Sequence, residues 1–406
     1  AAWDVGCIIR WLDYNDTWLA AEWGHPSDNL GAILSLSDHL SQVKTSKGES
    51  PLLMGDVLEL MVKAHEIQGV LALENSYNRV GLDHVILVRI ASTAISSLLL
   101  GCNREQTMSA LSHAWVDGSS LRTYRHAPNA GSRKSWAAGD ASSRGVRLAD
   151  IALRGEMGIP SALTAKQWGF YDVSYNKTNK DQKLKNLEDS QFKFKQKYQS
   201  YVMENILFKI KFPAEFHAQT AVEAAVILHD KVKDRIKDIK KIKLKSQESA
   251  IRIISKVGKL MNEADRDHCI QYMVAVGLLF GDLKADYYEN DFHKSNPDID
   301  WLRDKMEINE DKRYTKEYLE PEKRSIANSI QVFFNDGTKT DEVVIEYPVG
   351  HRRRRKEGIP LLEEKFFNSL NTCFSSDHSK KIFDLCLDSD KLKNLSVDSF
   401  MEMFVK

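Results

Sequence analysis

Near residue 205 the spacing of apolar residues changes, and that change limits the folds open to this chain. Before it, the apolar positions recur every three to four residues between helix-capping signals. Ser50-Pro51 predicts an N-cap with proline at the first helical position, opening LLMGDVLELMVKAHEIQGVLAL. Asp83 is placed to cap a helix from His84 to about Leu100, with Gly101 as its stop. Asn103 and Gln106 form a capping-box pattern for a helix through Trp115. Asp140 is read as the cap of another helix that ends near Gly155 and Gly158. Such helices joined by short loops imply a helical bundle.

After the change, strand-like and helical runs mix. NILFKIKFP and SAIRIISKV read as strands, AQTAVEAAVILHDKV as an amphipathic helix and DHCIQYMVAVGLLFG as a buried helix. SIQVFFNDGTKTDEVVIEYPVG predicts a hairpin with Asp336-Gly337 near its turn. From about Leu361 the tail returns to helical pattern. The expected fold class is mainly α with an α+β second domain: a helical domain over 1–204, a smaller α+β domain over 205–355, and helices over 356–406 that return to the first. Two lysine-rich stretches, Asn176 to Lys197 and Lys231 to Ser246, are read as solvated helix faces or loops.

The chain has 406 residues, enough for two domains. Lys+Arg and Asp+Glu both number 57, so the bulk charge calls for neither nucleic acid nor a membrane surface, and an anion site must be a local cluster. The apolar run from Val85 to Gly101 carries Arg89 and several hydroxyls and is read as a core helix rather than a membrane span. The first residues lack the pattern of a signal peptide. Five cysteines, with no CxxC pair, argue against a disulfide scaffold or a locally built zinc or iron–sulfur site.

Four groups of residues could carry chemistry. Leu12 to Gly31 gathers Asp13, Asp16, Thr17, Glu22 and His25. Asp13 and Thr17 share one face if the stretch is helical, and His25 beside Pro26 could serve as acid or base or simply lie on the surface at a helix end. Leu121 to Val146 holds Arg122, Arg125, His126, Arg133, Lys134 and Arg144 against Asp140 alone. It runs into a helix N-terminus and suits a multiply charged small acid, unless it is merely a basic surface loop. His84, His217 and Tyr272 stand singly, as satisfied core groups often do. The basic run from Gly350 to Pro360 is read as structural or as an interface.

Several long stretches resemble the MmgE/PrpD family: RWLDYNDTWLAAEWGHPSDNLGAIL, RHAPNAGSRKSWAAGDASSRGVRLA, GEMGIPSALTAKQWGFYDV, FPAEFHAQTAVEAA and YPVGHRRRRKEGIPLL. The resemblance runs from about Arg10 to about Leu362. Family members carry a further segment ahead of WLDYNDTW. The resemblance implies a large helical domain with a smaller α/β domain inserted into it, a homodimer, and work without metal or nucleotide cofactor. It implies dehydration of 2-methylcitrate, a small tricarboxylate, in the methylcitrate cycle of propionate breakdown. Some relatives instead decarboxylate cis-aconitate, and a non-catalytic binding protein of the same fold is a third reading. Family positions carry over to Asp13, Thr17, His25, His84, Lys134, His217 and Tyr272, with Arg122, Arg125, His126, Arg133 and Lys211 on the substrate; Lys209 competes with Lys211 for one position. In this reading the arginines hold carboxylates, His84 or His25 is the base, the other or Tyr272 is the acid, and Asp13 orients a histidine. The compartment implied is the mitochondrial matrix, with the cytoplasm as the alternative.

Overall fold

A computed structural model describes residues 1–117, 120–126, 128–175 and 191–405. Its first part is a helical assembly around α4 (Val85–Leu99), which is buried along almost its whole length. α2 (Leu30–Ser46), α3 (Met54–Glu74), α5 (Arg104–Val116) and α6 (Arg133–Leu153) pack about it, and α1 (Ala2–Arg10) packs on α2 and α6. α1, α2 and α6 meet almost backbone to backbone. A Cβ on Gly139 would lie 2.4 Å from the Trp3 carbonyl oxygen, and one on Gly6 would lie 2.7 Å from the Gly139 Cα. Only hydrogen fits there, and this close approach sets Arg10, the last residue of α1, in the buried centre.

The second part is a four-stranded sheet with helices on one face. Strand order is β2-β1-β3-β4, from β1 (Ile239–Ser246), β2 (Met306–Glu310), β3 (Asn328–Phe334) and β4 (Val343–Ile345). β1 pairs parallel to β2 and antiparallel to β3, so Leu244 stands between Ile308 and Ile330. Ile239, Ile242 and Leu244 turn into a core shared with α7 (Gln219–Val232) and α8 (Ile270–Phe280). The hairpin, the capping box at Asn103, the amphipathic helix α7 and the buried helix α8 stand where the sequence places them. The last segments return to the helical part: Val397 N–H donates to the Leu52 carbonyl at 2.9 Å, and Ser41 Oγ donates to Asp398 at 2.7 Å. Among the described residues no helix is long and apolar enough to cross a membrane.

Five local expectations are corrected. The second half of the Lys231–Ser246 stretch is the central strand, not a solvated loop. Its lysines alternate with buried Ile and Leu, and their stems cover the outer face. SAIRIISKV is helical from Glu248 to Ile254, burying Ser249, Ala250, Ile253 and Ile254 at helical spacing, because its β-branched residues face a core that rewards a helix. NILFKIKFP joins no sheet; Leu207 pairs with Thr17 (2.8 and 2.9 Å) and Phe208 N–H donates to Gly350. The helix after Ser50-Pro51 begins only at Met54, since Leu52 and Met54 are paired with the tail. α6 begins at Arg133, so Asp140 is inside it, paired with Arg144 at 3.2 Å, rather than capping it. The Asn176–Lys197 stretch lies mostly outside the described residues.

Candidate active site

The connection between α1 and α2 is irregular from Trp11 to His25, so Asp13 and Thr17 do not share a helix face. Asp13 adopts φ +49°, a left-handed conformation, and is locked there by Lys209, whose ammonium donates to the Asp13 carbonyl at 2.7 Å and carboxylate at 2.6 Å. Arg10 pairs with the same carboxylate and donates to His25 Nε2 at 2.9 Å. The other nitrogen of His25, Nδ1, donates to the Asp16 carbonyl at 2.6 Å. Both bonds require the tautomer with the proton on Nδ1 and a bare Nε2. Burial, reinforced by the charges of Arg10 and Lys209, holds His25 well below the usual imidazole range. Thr17 Oγ1 stands 3.5 Å from His25 Nδ1.

Facing this loop is the start of α4. Val85 N–H donates to Asp83 Oδ1 at 3.2 Å, so the expected cap is present, but Asp83 does more. It is fully buried, accepts both arms of Arg125 and lies 3.6 Å from Arg122. Burial alone would raise its pKa; Arg125, His84 and Arg122 outweigh that and hold it far below the carboxylate range. Arg122 also stacks on Trp23, with its guanidinium 5.1 Å from the ring centroid. His84 is 2% exposed; its Nδ1 lies 3.5 Å from Asp83 Oδ1, and among the described residues neither ring nitrogen makes a hydrogen bond. Its ring centroid is 5.3 Å from that of His25. Burial pushes it well below the usual range, with Arg125, Arg10 and Arg122 adding to the effect and Asp83 pulling the other way.

The opposite wall comes from the second part of the chain. His217 Nδ1 meets Glu215 at 2.8 Å and its Nε2 meets the Tyr318 hydroxyl at 3.0 Å. Burial favours the protonated acid at Glu215, but His217, His268 and Lys209 prevail and keep it at about 2. His268 lies 3.9 Å from Asp13 and contacts both Lys134 (3.1 Å) and Asp267 (2.9 Å). Between the walls is a cavity of about 20 Å³, room for roughly one water molecule. Beyond the Lys134–Asp267 pair opens a cleft of about 730 Å³.

The cavity brings together Asp13, Thr17, His25, His84, Arg122, Arg125 and His217 of the residues expected from sequence. Lys134 stands between the cavity and the cleft. Lys209 reaches the cavity, whereas Lys211 is exposed beside Phe212. Arg133 is exposed against Trp136, and His126 is half-buried outside the cavity lining. Tyr272 is buried in the second core and donates to the Tyr287 carbonyl at 2.6 Å. Sequence reasoning did not single out Arg10, Glu215 or His268, and treated Asp83 only as a cap. Arg10 three residues before Asp13, Glu215 two before His217, and the Asp267-His268 pair were the available signals. The basic run after Gly350 is structural. Arg354 clamps Glu223 at 2.9 Å, and Arg355 donates to the Ile206 carbonyl at 2.6 Å.

A buried imidazole without a hydrogen bond among the described residues, in a cavity lined by Arg10, Arg122, Arg125 and Lys209, is an arrangement chemically suited to moving protons on a small polyanion. The chain belongs to the MmgE/PrpD family: the model of the MmgE/PrpD N-terminal domain matches residues 1–183 and that of the C-terminal domain residues 212–389. It is 55% identical over 408 residues to the 2-methylcitrate dehydratase of Escherichia coli (strain K12), covering all of this chain and 82% of that protein. It is also 55% identical to the 2-methylcitrate dehydratase of Cupriavidus necator (100% and 81% covered) and to the mitochondrial 2-methylcitrate dehydratase of Yarrowia lipolytica (100% and 76%).

Proposed function

We propose that this chain removes the elements of water from 2-methylcitrate to give 2-methyl-cis-aconitate. The shared name of its bacterial and fungal relatives supports this reading, and decarboxylation of cis-aconitate is not favoured by it. The observation that carries the chemistry is His84, buried amid guanidinium groups, with neither nitrogen hydrogen-bonded among the described residues and Asp83 3.5 Å from its Nδ1.

The reaction takes a proton from a carbon beside a carboxylate and expels a hydroxyl. That carbon becomes acidic only when charge on the neighbouring carboxylate is neutralised, the task of Arg122 and Arg125 on one side and of Arg10 and Lys209 on the other. His84 accepts the proton. His25, with Nε2 held by Arg10 and Nδ1 by the Asp16 carbonyl, positions Arg10 beside the substrate. The cavity is smaller than a tricarboxylate, so binding requires the walls to part. We read the chain as a homodimer with the division 1–204, 205–355 and 356–406. The compartment is mitochondrial if it follows the yeast relative, cytoplasmic otherwise.

The test is optical. Protein mixed with 2-methylcitrate should develop the absorbance of a new carbon–carbon double bond conjugated to a carboxylate. A flat trace, with carbon dioxide released from cis-aconitate instead, would replace dehydration by decarboxylation.

A further inference from the structure

His268 occupies an unusual place. Its Nε2 faces Asp13 across 3.9 Å, on the inner cavity side, while its Nδ1 meets two partners that cannot both be satisfied at once. Lys134, an ammonium, can only donate to a bare Nδ1. Asp267, a carboxylate, can only accept from a protonated one. With Lys134 bonded, the ring proton sits on Nε2, toward the cavity. With Asp267 bonded, it sits on Nδ1 and Nε2 is bare. The imidazole is therefore poised between two tautomers whose difference is one proton on the inner or the outer side. Lys134 and Asp267 both line the large outer cleft, and Asp267 is 15% exposed there.

We propose that His268, with Lys134 and Asp267, carries protons between the inner cavity and the outer cleft during turnover. The proposal rests on the dehydratase reading. His84 and His268 stand on opposite walls, so an elimination across the cavity leaves a proton on His84 and takes one from the other side. The substrate C–H proton goes to His84 and its electron pair forms the double bond. The C–O bond breaks, and the oxygen leaves as water with the proton from His268 Nε2, while Lys134 refills Nδ1. In the return step the proton on His84 passes through the product water to Nε2. The Nδ1 proton goes to Asp267, and Asp267 hands it to Lys134 across their ion pair. No proton is gained or lost over the cycle.

The groups that face His268 are consistent with this role. Burial and the charges of Lys134, Lys256 and Arg125 depress it, Glu215 opposes them, and Asp13 and Asp267 lie at its two nitrogens, so the ring stays neutral and exchanges one proton for another.

The test separates the first turnover from the rest. In Asp267→Asn, rapid mixing with 2-methylcitrate should give a burst of about one product per site at the wild-type rate. Steady-state turnover should then be at least about tenfold slower, and imidazole buffer, which can enter the cleft, should restore it. His268→Gln should lose the burst as well and respond to the same buffer. A steady-state rate within twofold of wild type in both variants would overturn the proposal. So would a burst and steady state reduced equally in Asp267→Asn without buffer rescue, because that pattern marks a structural role. Failure of the wild-type enzyme to act on 2-methylcitrate at all would instead overturn the dehydratase reading beneath it.

Discussion

The two walls of the cavity use the same residue types to opposite ends. On the helical wall, Asp83 gathers Arg122 and Arg125 and stands 3.5 Å from His84 Nδ1, yet among the described residues neither nitrogen of His84 makes a hydrogen bond. On the wall from the second part, His217 has each nitrogen tied, one to Glu215 and one to Tyr318. An unpaired buried imidazole costs stability and is retained where it meets a ligand; a tied one fixes geometry. On the proposed reading, proton abstraction falls to His84 on the helical wall, while the tied His217 holds geometry on the other.

The largest expected effect is on the unpaired ring. His84→Gln should lower kcat by about 10³-fold, while the thermal midpoint moves little because the ring makes no hydrogen bond to lose. Steady-state absorbance and a melting curve decide this, and a kcat within tenfold of wild type would return the base role to His25. Asp83→Asn should cost about 3–5 kcal/mol of stability, since it leaves buried guanidinium charge uncompensated, and should raise KM. Denaturant melts and substrate titration read both.

The helical wall also holds Glu22, which burial raises to about 7, with Arg122 and the Asn78 amides pulling the other way. The folded pKa lies above the unfolded one, so its contribution to stability is complete below about pH 4.5 and is lost as pH climbs to about 7. At about 1.4 kcal/mol per unit this is about 3 kcal/mol. Melts of Glu22→Gln across that window should show a shallower decline than wild type, with the share of Asp28, also raised to about 7 by burial, remaining. A wild-type stability that rises through the window would contradict the sign.

The smallest effect belongs to the tied ring. Tyr318→Phe removes one hydrogen bond from His217 and should reduce kcat about fivefold, matching about 1 kcal/mol. A loss as deep as that of His84→Gln would erase the distinction between the walls.

Much of the helical half was legible because its capping and periodicity are local. Asp83 before α4 and Asn103 with Gln106 before α5 needed no distant partner. Misreadings fell where distant contacts decided the local form. β1 looked like a solvated lysine tract until β2 and β3 gave its alternation two neighbours, and the residues after Asn205 looked like a strand yet found only a loop and Gly350 to pair with. For the site, long motifs carried the reading to Asp13, His25, His84, Arg122 and Arg125. Arg10 and His268 were passed over because near spacing alone gave them little weight: Arg10 matters for lying against Asp13 and His25, and His268 for standing between Asp13 and Asp267.

By itself, the sequence determined the family, the reaction class its motifs imply and the succession of helices ahead of a mixed α/β part, since those depend on residue identity and near spacing. Only the tertiary structure decided which cations reach one cavity, which imidazole is left unpaired and which carboxylates depress or lose their charge. Each of those properties depends on distance and burial between residues far apart in the chain, and neither quantity is written in local order.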